Sequence, residues 1–329
     1  MTQLLIVTSQ DDIHADMVIK ELEDSKIKPI RLNSDTLIQE SAYSFSWNQQ
    51  GQSISQSFTF KDSKLSTEKI KLIWWRKPNE YYPDPEVTDE WAKQYAVEET
   101  KSLVQSLSGL FPDANWINNY YNLRLPSRRI NQIPLTKQLG IPIPATLVTN
   151  QYESIVSFLK QEGSCIIKPM DYSCFLHDDK QYACYTRPID LETIDSLRDS
   201  IHLAPVFIQK RIPKKAEYRV TLIGKKSFVC RIETEHLNDA EVNQDWRVTE
   251  PDKLVHTPDT LPEDYIAKLH KMLELLGLNF GAFDIIRGDD DVLYFIELNP
   301  NGQWYWIEIL TGMPMVKAMV ELIEDLAQH

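Results

Sequence analysis

The chain has 329 residues, of which 42% are hydrophobic and 25% are charged. This composition is typical of a globular protein with two or three domain-sized units, and it argues against extended disorder. The 48 acidic residues outnumber the 35 basic ones and leave a formal charge of −13, which argues against nucleic acid as a partner because affinity for phosphate backbones depends on clustered Lys and Arg. No run of roughly 20 apolar residues is present, and the start MTQLLIVTSQDD is unlike a signal peptide. We therefore expect a cytoplasmic protein without membrane attachment.

The cysteines are too widely spaced to predict a covalent or metal-bound framework. No CxxC pair is formed by Cys165, Cys174, Cys184 and Cys230. Disulfide-rich folds and structural zinc sites are usually marked by closely spaced cysteines. We expect all of them to be reduced.

The N-terminal segment predicts a βαβ unit. An apolar run at residues 4–7 precedes a polar turn and a helically spaced segment, and a second apolar run follows at residues 27–32. The turn is Ser-Gln-Asp-Asp, so it contains no Gly-rich phosphate loop. Further on, YSFSW and QSFTF predict a hairpin with NQQGQ as its turn, and IKLIWWRKP predicts a buried strand.

The remaining pattern predicts two further domains. A helical stretch begins at about residue 89, and the character of the sequence changes near residue 118, before a helix that ends at Gly140 and a Pro-bounded extended segment. After PVFIQKRI the chain is rich in strands, with a predicted hairpin around Gly224. We predict an N-terminal domain at 1–118, a central domain at 119–206 and a C-terminal domain at 207–329, of α/β class with α+β character.

The stretch FDIIRGDDDVLYFIELN predicts a hairpin with its turn at residues 288–291. Pairing Arg287 with Val292 would set Asp284 opposite Phe295 and one diagonal from Glu297. A register slip of one residue would move alternate side chains to the other face. The predicted pairing is therefore the premise of any site on this hairpin.

In that register, three oxygen-bearing side chains share one face of the hairpin: Asp284, Glu297 and Asn299. Carboxylates within an apolar strand are costly unless cations meet them, and Mg²⁺ prefers oxygen ligands. The sequence therefore predicts a magnesium site. The alternative is a hydrated sheet face with solvated acids.

Basic residues provide candidate partners for an anionic ligand. Lys168 ends the apolar strand SCIIKPM, where an ammonium group needs an anion, unless its long side chain simply reaches solvent. Three arginines, Arg219, Arg231 and Arg247, would together suit phosphate or carboxylate oxygens, although each alone is also explained by an ion pair. The segment FIQKRIPKK predicts a strand that runs into an exposed linker, a natural place for backbone groups to contact an adenine edge.

The order of these features resembles the ATP-grasp superfamily of carboxylate-amine ligases over residues 119–329, with 1–118 as a preceding βαβ-type domain. More narrowly, IWWRKP, YTRPI and NPNGQWYWIE resemble the graspetide macrocyclases, which form microviridin-type ω-ester and ω-amide peptides. The resemblance implies an ATP-grasp fold whose central and C-terminal domains sandwich ATP. It also implies ATP and Mg²⁺ as cofactors.

The resemblance assigns roles to individual residues. Lys168 would contact the ATP phosphates, and Tyr172 and Ser173, in the segment that follows it and forms a phosphate-covering flap in the family, would cover them. The adenine would be bound by Gln209, Lys210 and Ile212, and the ribose by Glu217. Two magnesium ions would be held by Asp284, Glu297 and Asn299. The γ-phosphate or the acyl phosphate would be bound by Arg219 and Arg231, with Arg247 close by. The flap segment MDYSCFLHDDKQ departs from the family pattern because it lacks glycine.

The implied activity is the ATP-dependent joining of Asp or Glu side chains of a ribosomal precursor peptide to its Ser, Thr or Lys side chains. The implied partner is a precursor with a helical leader and an acidic core, and a homodimer is expected. Two alternatives remain: an intermolecular ligase that adds amino acids to a peptide tail, and a nucleotide-binding regulator without catalysis. Trp304 and Trp306 are either part of the family motif's function or simple core packing.

Overall fold

The protein is described here from a computed structural model that covers residues 2–61, 63–65, 69–78, 80–170, 174–177, 180–234, 245–249 and 251–328. Its N-terminal part is built on a parallel sheet. The strands are β1 (Thr2–Thr8), β2 (Ile27–Asn33), β6 (Ile70–Trp75) and β7 (Asn115–Ile117), in the spatial order β2-β1-β6-β7. The central strand β1 is buried on both faces, which explains its unbroken apolar run.

The predicted βαβ unit is confirmed. Helix α1 (Ile13–Glu21) connects β1 to β2, and it begins at Asp12, whose carboxylate accepts a hydrogen bond from the backbone N–H of His14 at 3.2 Å. This N-cap satisfies one of the free donors of the first turn. The cap residue and its neighbours therefore lie at the carboxyl end of the sheet.

The predicted hairpin in the N-terminal part is also confirmed. After helix α2 (Leu37–Glu40), strands β3 (Ser41–Trp47), β4 (Ser53–Phe60) and β5 (Ser63–Leu65) form an antiparallel sheet. The turn at residues 48–52 closes through a bond of 2.9 Å from the N–H of Asn48 to the carbonyl of Gln52. Gly51 adopts a φ of +75°, which suits glycine.

Helices connect β6 to β7 and then the N-terminal sheet to the rest of the chain. The first connection contains α3 (Glu90–Gln105) and α4 (Leu107–Leu110), and the second contains α5 (Tyr120–Arg124) and α6 (Arg129–Leu139). Helix α6 ends at Gly140, whose left-handed φ of +60° confirms the predicted stop. Its N-terminal end reaches the site described below.

The central part contains a small antiparallel sheet. Its elements are β8 (Thr146–Thr149), α7 (Tyr152–Glu162), β9 (Cys165–Lys168), β10 (Cys174–His177), β11 (Lys180–Ala183), β12 (Arg187–Ile189), α8 (Leu191–Ser196) and β13 (Val206–Lys210). Four strands form one sheet in the order β12-β9-β13-β8, and β10 pairs with β11 in a separate hairpin. A core around Ile155, Leu159 and Ile208 holds α7 and α8 against this sheet.

The C-terminal part is a five-stranded antiparallel sheet with helices. Its elements are β14 (Lys214–Ile223), β15 (Lys226–Glu233), β16 (Val255–Pro258), α9 (Glu263–Leu276), β17 (Phe280–Gly288), β18 (Leu293–Asn299), α10 (Tyr305–Thr311) and α11 (Met315–Ala327). The strand order is β16-β15-β14-β17-β18. The predicted hairpin at Gly224 joins β14 to β15.

The N-terminal and C-terminal parts share their hydrophobic cores. Residues such as Leu4 and Val18 pack in one cluster with Met319 and Ile323 of α11. At the predicted boundary, buried Asn118 donates to the carbonyls of Phe280 and Pro300, both at 2.8 Å. The boundaries at 118 and 206 stay predictions, but the chain at 118 is a packed junction.

The turn of the β17–β18 hairpin corrects the predicted register. Arg287 pairs with Leu293 and not with Val292, so the prediction was wrong by one residue. The turn closes through a bond of 2.9 Å from the N–H of Gly288 to the carbonyl of Val292, and Asp291 adopts a left-handed φ of +61°. The loop is therefore longer than the sequence pattern suggested.

A bulge at Ile296 then changes the partner of Asp284. Because Ile296 has no partner, Asp284 lies directly opposite Glu297 and not opposite Phe295 as predicted. The inserted residue compensates for the shifted turn. As a result, Asp284, Glu297 and Asn299 still share one face of the sheet.

Within the described residues, no helix has the length and apolar composition needed to cross a bilayer.

Candidate active site

A cavity of about 380 Å³ lies between the four-stranded sheet of the central part and the five-stranded sheet of the C-terminal part. The ends of β9 and β13, the linker 211–213, and strands β14, β17 and β18 form its walls. The cavity brings together several residues predicted from the sequence to bind ATP or metal: Lys168, Gln209, Lys210, Ile212, Glu217, Asp284 and Glu297.

Two arginines hold the facing carboxylates of β17 and β18. Arg219 on β14 places Nη1 at 2.8 Å from Oδ1 of Asp284, and Arg129 of α6 places Nη2 at 2.8 Å from Oε2 of Glu297. All these side chains are largely buried. Each carboxylate is thus paired with a cation, which compensates for its loss of hydration.

The residues present fit a magnesium ion. Within the described stretches, no three His, Cys, Asp or Glu residues are grouped closely enough to form a metal site by themselves. However, the Asn299 amide lies 3.3 Å from Oδ2 of Asp284, and Glu297 is the direct strand partner of Asp284. Two carboxylates and an amide are the hard oxygen donors that Mg²⁺ takes, with open positions left for other oxygens.

Lys168 reaches the same cavity from the opposite sheet. The residue is only 7% exposed, and its Nζ lies 5.5 Å from the ring centroid of Phe207. A lysine whose head group reaches bulk water would be more exposed. The position of its ammonium group in the cavity wall suits an anionic ligand.

The linker end of the cavity is lined by both polar and apolar side chains. Buried Gln209 donates from Nε2 to Oγ1 of Thr146 at 2.9 Å, so its side chain supports β8. Lys210 lies near Glu162, with Nζ at 3.5 Å from Oε2. Together with Ile212, these residues form a wall suited to a planar apolar group.

Glu217 faces the cavity next to a lysine that the sequence reading missed. Nζ of Lys214 lies 2.6 Å from Oε2 of Glu217. Burial raises the pKa of the Glu217 carboxyl, the charge of Lys214 opposes this shift, and the charges of Asp284 and Asp245 add to it. The cavity therefore has one acid that is harder to ionise than usual.

The structure separates the three predicted arginines. Arg219 faces the carboxylates, whereas Arg231 is the strand partner of Tyr218 and so points to the other face of the sheet. Arg231 lines a smaller cavity of about 200 Å³ and lies 3.4 Å from Glu233. The backbone of Arg247 lies in a short turn at Trp246–Val248, but its side chain is outside the described part of the chain. Tyr172 and Ser173 also lie outside the described residues.

Arg129 is the main site residue that sequence reasoning missed. Besides its ion pair with Glu297, it donates through Nη1 to the carbonyl of Pro169, which follows Lys168. It thus connects the two sheets at the end of the cavity that holds Asp284 and Glu297. The only sequence signal was the arginine pair in PSRRIN near the start of the predicted helix. That position does not reveal that the side chain contacts Glu297, which is 168 residues further along the chain.

A second polar network connects the N-terminal sheet to the loop after Asn299. Fully buried Arg76 donates through Nη1 to the carbonyl of Asn301 at 3.1 Å, and its Nε lies 3.5 Å from Asp12. His14 contacts Asp12 through Nδ1 at 3.0 Å and accepts the backbone N–H of Trp304 at Nε2, also at 3.0 Å. Burial lowers the pKa of His14, in agreement with a neutral ring that accepts at Nε2.

The two tryptophans of the C-terminal motif differ in environment. Trp304 is completely buried in the core shared with the N-terminal sheet. Trp306 is half-buried in α10 and packs against Trp246 and His256, with ring centroids 5.6 and 5.2 Å away. The core-packing alternative therefore describes Trp304.

Comparison with known sequence families supports a domain of the type that precedes the ATP-grasp domains at the N-terminal end of the chain. Residues 2–124 match the profile of the MvdD pre-ATP grasp domain. No curated protein matches the chain.

Solved structures are similar over nearly the whole chain. A RiPP-associated ATP-grasp ligase from Chryseobacterium gregarium, in complex with ADP and a leader and core peptide, is 24% identical with a TM-score of 0.89 and covers 99% of this chain and 97% of its own. The macrocyclase MdnC from Microcystis aeruginosa MRC, bound with the precursor peptide MdnA, is 22% identical with a TM-score of 0.84 and coverage of 99% and 100%. The ATP-grasp ligase PsnB, in complex with minimal precursor, Mg and ADP, is 18% identical with a TM-score of 0.75 and coverage of 98% and 97%. The chain therefore has the ATP-grasp fold that the resemblance implied.

Proposed function

We propose that this protein is an ATP-dependent peptide macrocyclase. It activates Asp or Glu side chains of a ribosomally made precursor peptide and joins them to Ser, Thr or Lys side chains of the same peptide, which forms ω-esters or ω-amides. The observation that carries this proposal is the cavity between the two sheets, where Lys168 faces paired carboxylates. Similarity to ligases whose structures contain precursor peptides supports it.

The cavity residues suit ATP and magnesium. Lys168 would bind phosphate oxygens, and the wall formed by Gln209, Lys210 and Ile212 would hold the adenine. Magnesium, when bound by Asp284, Glu297 and Asn299, would supply positive charge next to the phosphates. Glu217 also lines this cavity and would accept hydrogen bonds from the ribose hydroxyls.

The proposed chemistry has two steps. An oxygen of the peptide carboxylate attacks the γ-phosphorus, the bond to the β-phosphate oxygen breaks, and ADP leaves. A hydroxyl or amine then attacks the carbonyl carbon of the acyl phosphate, phosphate leaves with the bonding electron pair, and the nucleophile loses its proton. Arg219 lies beside Asp284 and would orient the phosphoryl group through charge-assisted hydrogen bonds.

The test is mass spectrometry of candidate precursor peptides encoded near the gene, incubated with purified protein, ATP and Mg²⁺. We expect each ring to lower the peptide mass by one water molecule, with one ADP released per ring. A gain in mass would instead indicate an intermolecular ligase. ATP binding without ADP release in the presence of every candidate peptide would indicate a nucleotide-binding regulator.

A further inference from the structure

Apart from the proposed ATP cavity and the small cavity beside Arg231, a cavity of about 260 Å³ lies where the N-terminal sheet meets α10. It is called the second cavity below. Residues after β1 and β6 form its floor, and Gln303, Tyr305 and Trp306 form the opposite wall. In the order β2-β1-β6-β7, the chain leaves β1 toward β2 on one side, while β6 lies on the other. The carboxyl ends of β1 and β6 thus flank a topological switch point, the place where open α/β sheets bind ligands.

The floor of this cavity carries two adjacent cations, Arg76 and Lys77. Arg76 is 1% exposed, and its Nη2 has no hydrogen-bonding partner among the described residues. Within the same part of the chain, no carboxylate forms an ion pair with Lys77. A buried donor without an acceptor is unfavourable. Among the described residues, Asp12 is the one carboxylate that forms an ion pair with either cation, so it balances only one of the two positive charges.

The acids of the cavity balance these cations only in part. Asp12 forms an ion pair with Arg76 and also accepts hydrogen bonds from Thr8 and His14. Asp11 is exposed. Burial and the charge of Arg76 lower the pKa of the Lys77 ammonium, and the charge of Asp12 opposes this shift.

The rim of the cavity includes exposed apolar side chains beside the exposed Asp11 and Gln303. Ile13 and Ile309 line it and are 49% and 63% exposed. Large exposed aliphatic side chains on both sides of a polar floor suit a ligand with a charged end and an apolar stem. An acidic side chain within a peptide has this character.

Two residues, Gln303 and Arg219, connect this cavity to Asp284 in the wall of the proposed ATP site. The carbonyl of Gln303 accepts from Nη2 of Arg219 at 3.3 Å, and Nη1 of the same arginine is bound to Asp284. Gln303 therefore belongs to the wall of the second cavity and also touches a residue beside the phosphoryl-transfer end of the first.

From this arrangement we infer that the second cavity is a subsite for a carboxylate side chain of the peptide substrate, bound by Lys77 and Arg76. The inference rests on the proposed function for the identity of the substrate as an acidic peptide. The binding itself requires neither ATP nor turnover.

The test measures binding of end-blocked, dye-labelled tetraglutamate, tetraglutamine and tetralysine by fluorescence anisotropy, with excess ATP and EDTA present so that the ATP cavity is filled and no turnover occurs. We expect the wild type to bind tetraglutamate about tenfold more tightly than tetraglutamine, because a charge-assisted hydrogen bond is stronger than a neutral one. Lys77→Gln should reduce this preference to about twofold or less. Lys71→Gln, at an exposed lysine on the same strand β6, should keep it.

Other results would overturn the inference. They are equal binding of the glutamate and glutamine peptides by the wild type, a full preference retained by Lys77→Gln, or a preference for tetralysine. The result is also separable from the proposed function. If Lys77→Gln loses the preference for tetraglutamate, the subsite is supported even if no precursor peptide loses water. If the wild type forms rings but shows no preference for tetraglutamate, only the subsite is refuted.

Discussion

At the scale of residues, the site depends on which cation meets each carboxylate. Asp284 and Glu297 face one another across the β17–β18 pair, and Arg219 and Arg129 reach them from different elements. Each ion pair offsets the cost of burying one carboxylate beside the other. Substitutions that preserve shape but remove charge are therefore the sharpest probes.

Glu297→Gln should reduce ADP release in the presence of a peptide substrate by about 100-fold or more, because it removes one charged oxygen donor from the proposed metal site. Circular dichroism should still show a folded protein, while the thermal midpoint should fall because Arg129 loses its buried ion-pair partner. The matched control is Glu274→Gln, at an exposed acid on α9. Turnover at the wild-type rate by Glu297→Gln would exclude Glu297 as a magnesium ligand.

Lys168→Ala should raise the KM for ATP by about tenfold or more, since hydrogen bonds to charged groups contribute about 1.5–3 kcal/mol. Steady-state kinetics over a range of ATP concentrations measures this change. Lys160→Ala, at an exposed lysine of α7, serves as the control. An unchanged KM would show that Lys168 does not bind the nucleotide.

At the scale of elements, the edge of β18 is covered by the helix that supplies Arg129. The side chain of Gln132 accepts from the N–H of Leu298 at 2.9 Å and donates to its carbonyl at 2.8 Å, as a neighbouring strand would. The N–H of Phe295 is bound to the carbonyl of Pro142 at 2.8 Å. These contacts satisfy an otherwise open strand edge and fix the position of Glu297.

The loop after β18 leaves no space for a side chain at residue 302. A Cβ added to Gly302 would lie 2.6 Å from Nη2 of Arg219 and 2.9 Å from Cβ of Ala282. Gly302→Ala should therefore lower the free energy of unfolding by about 1–3 kcal/mol and displace Arg219 from Asp284. Urea denaturation and ADP release measure the two effects. Gly109→Ala, where no atom lies within 4 Å of the added Cβ, should leave both within error, and equal behaviour of the two variants would refute the steric argument.

At the scale of the whole molecule, a buried polar network joins the N-terminal sheet to the loop beside the proposed metal site. His14 connects Asp12 to the backbone of Trp304, and Arg76 connects Asp12 to Asn301. A change in the charge of this network acts on both parts of the molecule. Protonation within the network should therefore change the stability of the whole protein.

We expect the buried His14 side chain to make the folded protein less stable in mild acid. Burial holds its pKa below the ordinary value of 6.5, so the unfolded chain binds more protons as the pH falls below about 6.5 and the folded state loses stability. Urea midpoints between about pH 7 and pH 5 should therefore fall more steeply for the wild type than for His14→Gln. His202→Gln, in an exposed segment, should follow the wild type. Parallel curves for all three proteins would contradict this role of His14.

Much of the site was predictable because local chemistry marks it. Glu297 and Asn299 stand out in an apolar strand, and Lys168 stands out at the end of another, since buried charges need a reason. The positions of Arg231 and Arg129 were not predictable in this way. Strand register decides which face Arg231 occupies, and tertiary packing alone brings α6 to Glu297.

The sequence by itself determined the order of the elements, the ATP-grasp resemblance and the acids and lysine of the candidate site, because periodicity and isolated charges in apolar strands are local signals. Only the tertiary structure decided the bulge at Ile296, the pairing of Arg129 with Glu297, and the union of Arg76, His14 and Trp304 in one network. These depend on contacts between residues more than a hundred positions apart or on the exact length of a turn, and no local pattern encodes such distances.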